Sequence, residues 1–293
     1  MSPNGTTFSF APAGKGPLAG EVVLIPLIAK PQPPMELVTR VDRLCGDAVS
    51  DLLAVRPLRD EVGHLMHTTS GGTCRRVLVV GLGELKKAGP HELRRAAATA
   101  ARWIIGERLT KATLWIDGLM ATGVESAAAE WASGMALAGF RFAEFKQPEP
   151  QDEMPDKVQV VVRASESGHV ERLLPEIRAA LTIADAVNYT RRLAHQPANV
   201  INPKTLAAEA RKLAGAARLK YKVLGPEQLR ALGMNGLLAV GQGAAEPACL
   251  IQLEYRGARA ARTLTVLVGK AITFDTGGYS IKPAQGLEEL KFD

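Results

Sequence analysis

Cysteine is scarce in this chain: Cys45, Cys74 and Cys249 are the only three among 293 residues. The count is odd and no two lie close in sequence. Neither a disulfide framework nor a paired-cysteine metal knuckle is therefore expected, and the reading is of a reduced, intracellular protein. No cysteine has a histidine beside it to activate a thiol nucleophile. Long apolar runs are lacking too. The longest near the start, Val22–Ile28, is broken by Pro26 and falls far short of a membrane span. Met1 to Gly20 is rich in Gly, Pro, Ser and Thr, without the basic start and continuous apolar stretch of a secretory leader. A cytoplasmic protein with no membrane partner is expected. Runs of five or more Lys/Arg are also missing. The 36 basic residues, against 30 acidic ones, are scattered, so nucleic-acid binding is not expected as a main role despite the net charge of +6.

Phosphate-binding fingerprints fail as well. Gly81-Leu82-Gly83 follows a strand-like run, but Lys86 stands where the dinucleotide pattern needs its third glycine, which leaves a tight strand-to-loop turn. His64 and His67 are three apart with no carboxylate between them, so they read as surface histidines rather than metal ligands. Trp103, Trp115 and Trp131 read as core residues.

What is present is ordinary globular material, with 46% hydrophobic and 23% charged residues, enough for a packed core. Strand-like runs at Glu21–Ile28, Arg76–Val80, Ala112–Ile116 and Val158–Val162 alternate with helical patterns at Pro90–Leu109 and Ser126–Leu137. This alternation predicts an α/β domain with a parallel or mixed sheet. A long helix from Pro175 to Ala194 is expected to connect it to a second domain. There Asn202-Pro203 caps and opens a helix to Ala217. Strand Leu219–Leu224, a short helix Pro226–Leu232, and strands Cys249–Tyr255 and Leu264–Val268 follow, the last two as neighbours joined by a turn at Arg256-Gly257. The expected division is residues 1–165, a connecting helix over 166–195, and a second domain over 196–293. Two or three strands are few for a covered α/β sheet, so the second domain reads as incomplete at Asp293.

The chemistry concentrates after the strand-like run Leu264–Val268. Gly269-Lys270 leads into Phe274-Asp275-Thr276-Gly277-Gly278, then Ser280-Ile281-Lys282-Pro283, and finally Lys291-Phe292-Asp293. Polar groups at the C-terminal end of a sheet strand are where α/β proteins place their sites. The glycine pair allows backbone conformations closed to other residues. Two carboxylates and two amines have two readings. They are ion pairs that hold a loop, or the carboxylates hold divalent metal while a lysine assists a reacting carbonyl. Residue types alone favour the ion pairs.

The string itself resembles the signature region of leucyl aminopeptidases, the two-metal exopeptidases also called cytosol aminopeptidases. Further resemblance lies in Leu232-Gly233-Met234, Leu237 to Gly243, Leu250-Ile251 with Leu253-Glu254-Tyr255, and Arg192-Leu193 with Pro197-Ala198-Asn199 and Asn202-Pro203. More loosely, Val77–Gly83 and Gly134–Lys146 resemble segments of the family's first domain. The resemblance implies an α/β fold: a macro-domain-like N-terminal domain, a connecting helix, and the first part of an α/β catalytic domain with a mixed sheet. It implies peptide substrates, release of leucine-type N-terminal residues, two divalent ions (Mn or Zn) and a homo-oligomer, a hexamer. By that resemblance Lys270, Asp275 and Asp293 are metal ligands, and Asp275 touches both ions. Lys282 is the catalytic lysine that polarises the scissile carbonyl. Family members continue beyond this point and carry an Asn-Thr-Asp-Ala-Glu-Gly-Arg string that supplies an Asp ligand, a Glu ligand and an arginine. That string is absent here, so the chain by itself is expected to be inactive. The rival expectation is a non-catalytic binding or assembly module built on the macro-domain-like half.

Overall fold

The computed structural model describes residues 5–13, 20–147, 154–166, 168–257 and 263–286. The chain divides into two compact units, Met1–Thr190 and Arg191–Asp293.

The first unit is built on strands β1 (Thr7–Pro12), β2 (Val22–Leu27), β3 (Leu65–Thr69), β4 (Arg76–Gly81), β5 (Lys111–Trp115) and β6 (Lys157–Arg163). They form one six-stranded sheet in the order β1-β6-β5-β2-β4-β3. All neighbours run parallel except β3, which lies antiparallel on β4 at the edge. This mixed sheet bears out the α/β expectation. Every residue of β2 is buried, as a parallel strand covered on both faces requires.

The covering helices are α1 (Met35–Cys45), α2 (Ala48–Val55), α3 (Pro90–Gly106), α4 (Asp117–Met120) and α5 (Ala127–Ala138). Alternation along each strand sorts the core into two. Val22 and Leu24 of β2, with Leu78 and Val80 of β4, pack with α3 and α5 side chains such as Leu93, Ile104, Trp131 and Met135. Val23, Ile25 and Leu27, with Val77 and Val79, pack with Leu37, Val38, Val41 and Cys45 of α1 on the other face. A period of two along the strand makes both cores from one segment. Trp115 and Trp131 are buried, as expected; Trp103 is half-buried, its ring 5.4 Å from that of His67.

The long helix is longer than its pattern predicts. α6 runs His169–His195, so Pro175 sits in its second turn and not its first. Proline there removes one ladder donor. Val170, Leu174 and Ile177 around it are buried in the α3/α5 core, and that burial carries the helix through the proline.

The second unit contains α7 (Pro203–Ala217), β7 (Lys220–Leu224), α8 (Pro226–Ala231), α9 (Asn235–Gly241) and β8 (Leu250–Glu254). Asn202 caps α7 as predicted: its Oδ1 accepts from the Thr205 N–H at 3.0 Å, while Thr205 Oγ1 accepts from the Asn202 N–H at 2.9 Å. Such reciprocal caps satisfy two orphan donors. β7 and β8 pair antiparallel, Leu224 opposite Leu250 and Lys220 opposite Glu254. Tyr221 ties β7 to α7 by donating its hydroxyl to the Ala207 carbonyl at 2.7 Å.

Two expectations fail here. β8 has β7 as its partner, not Leu264–Val268. The latter run is irregular, with Leu267 and Val268 over 90% exposed. An apolar, β-branched run becomes a strand only where a neighbour offers a ladder, and among the described residues none pairs with it. The described sheet of this unit is therefore two-stranded and antiparallel, and the mixed sheet belongs to the first unit.

Candidate functional site

The segment after Val268 folds back on itself. The Ser280 N–H donates to the Gly277 carbonyl at 3.2 Å, and the Lys282 N–H to the Thr276 carbonyl at 2.9 Å. Gly277 and Gly278 both have positive φ, +88° and +61°. A Cβ on Gly277 would lie 2.2 Å from the Ser280 carbonyl oxygen, so the reversal requires glycine there.

This reversal brings Lys282 onto Asp275. Lys282 Nζ lies 2.9 Å from Asp275 Oδ2, and the other carboxylate oxygen, Oδ1, accepts from the Gly277 N–H at 2.9 Å. Both oxygens are thus engaged, on a side chain about half exposed (47%). The hydrogen bond from Lys282 is the main cause holding the Asp275 carboxyl below the usual carboxylate range. The Gly277 N–H and the Lys282 charge follow, and the Lys270 charge adds to them. The structure therefore brings Asp275 and Lys282 into direct contact and sets Lys270 within electrostatic reach. They sit on an irregular segment and not at the end of a sheet strand, which corrects that expectation. Asp293 lies outside the described residues. Sequence reasoning does not single out the Gly277 N–H; an aspartate two residues before a glycine is the signal, since its carboxylate can cap its own turn.

The described groups here are one carboxylate, Asp275, and two amines, Lys282 in contact with it and Lys270 nearby. Among the described residues no group of three or more His, Cys, Asp and Glu is placed to hold a metal ion. The described residues alone do not fit a two-metal centre, which needs a fuller cage of oxygen and nitrogen ligands.

A concavity of about 250 Å³ lies in the first unit beyond the C-terminal ends of β2, β5 and β6. It is lined by Glu36, Arg40, Asp117, Glu166 and His169 among others. Arg40 pairs with Glu36. Asp117 accepts from Trp115 Nε1 at 3.2 Å and from the Ser165 N–H at 3.0 Å. Those polar groups hold the groove's own walls together.

An α/β chain of two units, the second carrying this Asp-Gly-Gly-Lys turn, belongs to the cytosol aminopeptidase family. Residues 30–149 match that family's N-terminal domain and residues 188–293 its catalytic domain. Among individual relatives, a probable cytosol aminopeptidase of Acidithiobacillus ferrooxidans is 35% identical over 260 residues, covering 87% of this chain and 52% of the relative. One from Syntrophotalea carbinolica is 37% identical over 233 residues, covering 78% and 46% respectively. Among solved structures, the bottromycin maturation enzyme BotP in complex with Mn is 28% identical with a TM-score of 0.72, over 94% of this chain and 53% of that one. A tomato leucine aminopeptidase mutant shares the fold at 21% identity and a TM-score of 0.77, over 98% and 59%. The chain spans about half the length of the curated relatives it matches. Among the described residues no helix is long and apolar enough to cross a membrane.

Proposed function

We propose that this chain is part of a metal-dependent, cytoplasmic aminopeptidase that releases leucine-type N-terminal residues from peptides and works as a homo-oligomer, a hexamer. The observation that carries the reading is the contact between Asp275 and Lys282 inside a glycine turn, on a chain whose two halves match the two domains of one peptidase family. In the proposal Lys270, Asp275 and Asp293 are ligands of two divalent ions, Mn or Zn, and Lys282 is the cation that meets the scissile carbonyl. An ammonium fixed in a turn is suited to that part, because a preorganised charge costs no reorganisation as negative charge develops on oxygen. The domains behind this assignment are residues 1–165, the linking helix over 166–195, and residues 196–293. A manganese-bound relative with the same fold supports the choice of metal.

The proposal includes inactivity of the 293-residue polypeptide alone. Two carboxylates and one amine, without the further Asp and Glu that the family resemblance supplies, leave two ions poorly held, and losing ligands weakens a site sharply. The test is hydrolysis of a leucine anilide with added manganese or zinc. A polypeptide continued past Asp293 to the length of its relatives is expected to turn over, and its Lys282→Ala version to lose activity. Turnover by the 293-residue chain above its own Lys282→Ala control would overturn the ligand assignment.

A further inference from the structure

The sequence separates Cys45 and Cys74 by 29 residues, and the fold brings their sulfurs to 3.0 Å. Both are free thiols in the α1-side core of the first unit, 0% and 2% exposed. The spacing of the cysteines along the chain does not announce this contact. Cys45 is the last residue of α1, and Cys74 lies on the loop between β3 and β4.

That loop is fitted to the helix end. Ser70 Oγ donates to the Cys45 carbonyl at 2.6 Å. The Thr73 N–H and Oγ1 both donate to the Leu44 carbonyl, at 3.0 and 3.1 Å. These donors satisfy carbonyls that a helix C-terminus leaves orphaned. A Cβ on Gly72 would lie 2.3 Å from the Leu44 carbonyl oxygen and 2.8 Å from Cys45 Cα, so the backbones approach as closely as glycine permits. The two sulfurs, 3.0 Å apart, are therefore held facing each other by three loop residues, Ser70 and Thr73 through hydrogen bonds and Gly72 through close backbone contact, and about 1 Å of closure separates them from bonding distance.

We propose that Cys45 and Cys74 form a reversible disulfide when the protein meets a hydroperoxide, fastening the β3–β4 loop to the end of α1. Cys74 is the attacking sulfur. The pair's contact and the neighbouring Ser70 hydroxyl and Cys74 N–H hold its thiol down, whereas the same contact and then burial push the Cys45 thiol up. Thiolate character marks the sulfur that oxidises first. The Cys74 sulfur attacks one peroxide oxygen, the O–O bond breaks, and Cys74 becomes a sulfenic acid as an alcohol or water departs with the thiol proton. The Cys45 sulfur then attacks the Cys74 sulfur; the S–S bond forms, the S–O bond breaks, and the hydroxyl leaves as water with the Cys45 proton. Two thiols and one hydroperoxide give one disulfide, one alcohol or water, and one water. Cys74 lies between the exposed residues Thr73 and Arg75, so a small shift of the loop admits so small an oxidant.

The experiment exposes the folded 293-residue chain to hydrogen peroxide, quenches it, denatures it, alkylates free thiols, and maps the products by mass spectrometry without reductant. The expected result is a fall from three alkylatable thiols to one, Cys249. A peptide linked through Cys45 and Cys74 should appear, and dithiothreitol should restore all three thiols. In the Cys45→Ser chain Cys74 is expected to advance to the sulfinic acid, with no link. Three alkylatable thiols after exposure overturn the proposal. So does a sulfinic Cys74 beside an alkylated Cys45 in the unsubstituted chain, or chains linked through Cys249 with Cys45 and Cys74 still free.

Discussion

Lys282 reaches back across seven residues to set its ammonium 2.9 Å from one oxygen of Asp275 while the Gly277 N–H holds the other at 2.9 Å. Removing the lysine leaves the carboxylate with the Gly277 N–H of its own turn and the charge of Lys270. The Lys282→Ala substitution is therefore expected to bring the Asp275 pKa back up toward its ordinary 3.8. Carboxyl carbon NMR titration reads this directly. The sign follows from linkage: a carboxyl held low in the folded chain stabilises the turn at pH above its unfolded value and loses that contribution as pH falls through the folded one. An Asp275 titration unmoved by the substitution would show that the pair does not persist in solution.

Helices α3 and α5 pack through their smallest residues. A Cβ on Gly134 would lie 2.4 Å from the Arg94 carbonyl oxygen and 2.9 Å from Ala97 Cβ. A Gly134→Val substitution is expected to push the helices apart and cost about 1–3 kcal/mol, the range for overpacking a core. Urea unfolding followed by helix circular dichroism measures it. A stability equal to the unsubstituted chain would mean that the contact is looser than these distances require.

His64 gives the first unit a dependence on mild acid. Its Nδ1 accepts from the Arg59 N–H at 3.2 Å, and its Nε2 is buried without a hydrogen-bond partner among the described residues. Burial first, then the charges of Arg59 and Arg56, hold its pKa below 6.5. The unfolded chain then binds a proton that the folded one refuses, so stability falls as pH drops from 6.5 toward the folded value and levels off below it. The His64→Gln chain is expected to lose that slope. Thermal midpoints between pH 7.5 and 5, taken as about the window around histidine titration, decide the matter.

Leu264, Val266, Leu267 and Val268 are 67–93% exposed. Four apolar side chains close together on an open segment that pairs with no strand among the described residues invite strand pairing with another copy. Concentrated 293-residue chain is expected to self-associate, and Val266→Lys with Val268→Lys to reduce it. Light scattering is the measurement, and equal scattering from both chains would place the association elsewhere.

Periodicity made much of the first unit legible. Leu93, Ala96, Ala97, Ala100 and Ile104 mark α3 by spacing, and all are buried as read. Asn202-Pro203 announced α7 because an amide cap and a proline in the first turn are local chemistry, complete within four residues. The edge strand β1 was not legible. Thr7–Pro12 lies in a stretch rich in glycine and proline, and only pairing with β6, 150 residues away, makes it a strand. Leu264–Val268 is the converse: local propensity without a partner. For the candidate site, residue types located the charged cluster, and the resemblance assigned its roles. The contact itself depends on two positive-φ glycines whose reversal no spacing argument specifies.

The pairing of Thr7 with Lys157 also governs the order in which this unit can form. β1 leaves the ribosome first, and its only described neighbour in the sheet is the last strand of the unit to be made. At about 5–20 residues per second, the first strand waits roughly 8 to 30 seconds for its mate, its backbone donors open throughout. The apolar pair Phe8 and Phe10 is exposed to other nascent chains for that time. Gly5 and Pro12, on either side of that pair in the sequence, are poor ladder formers and so limit mispairing during the delay.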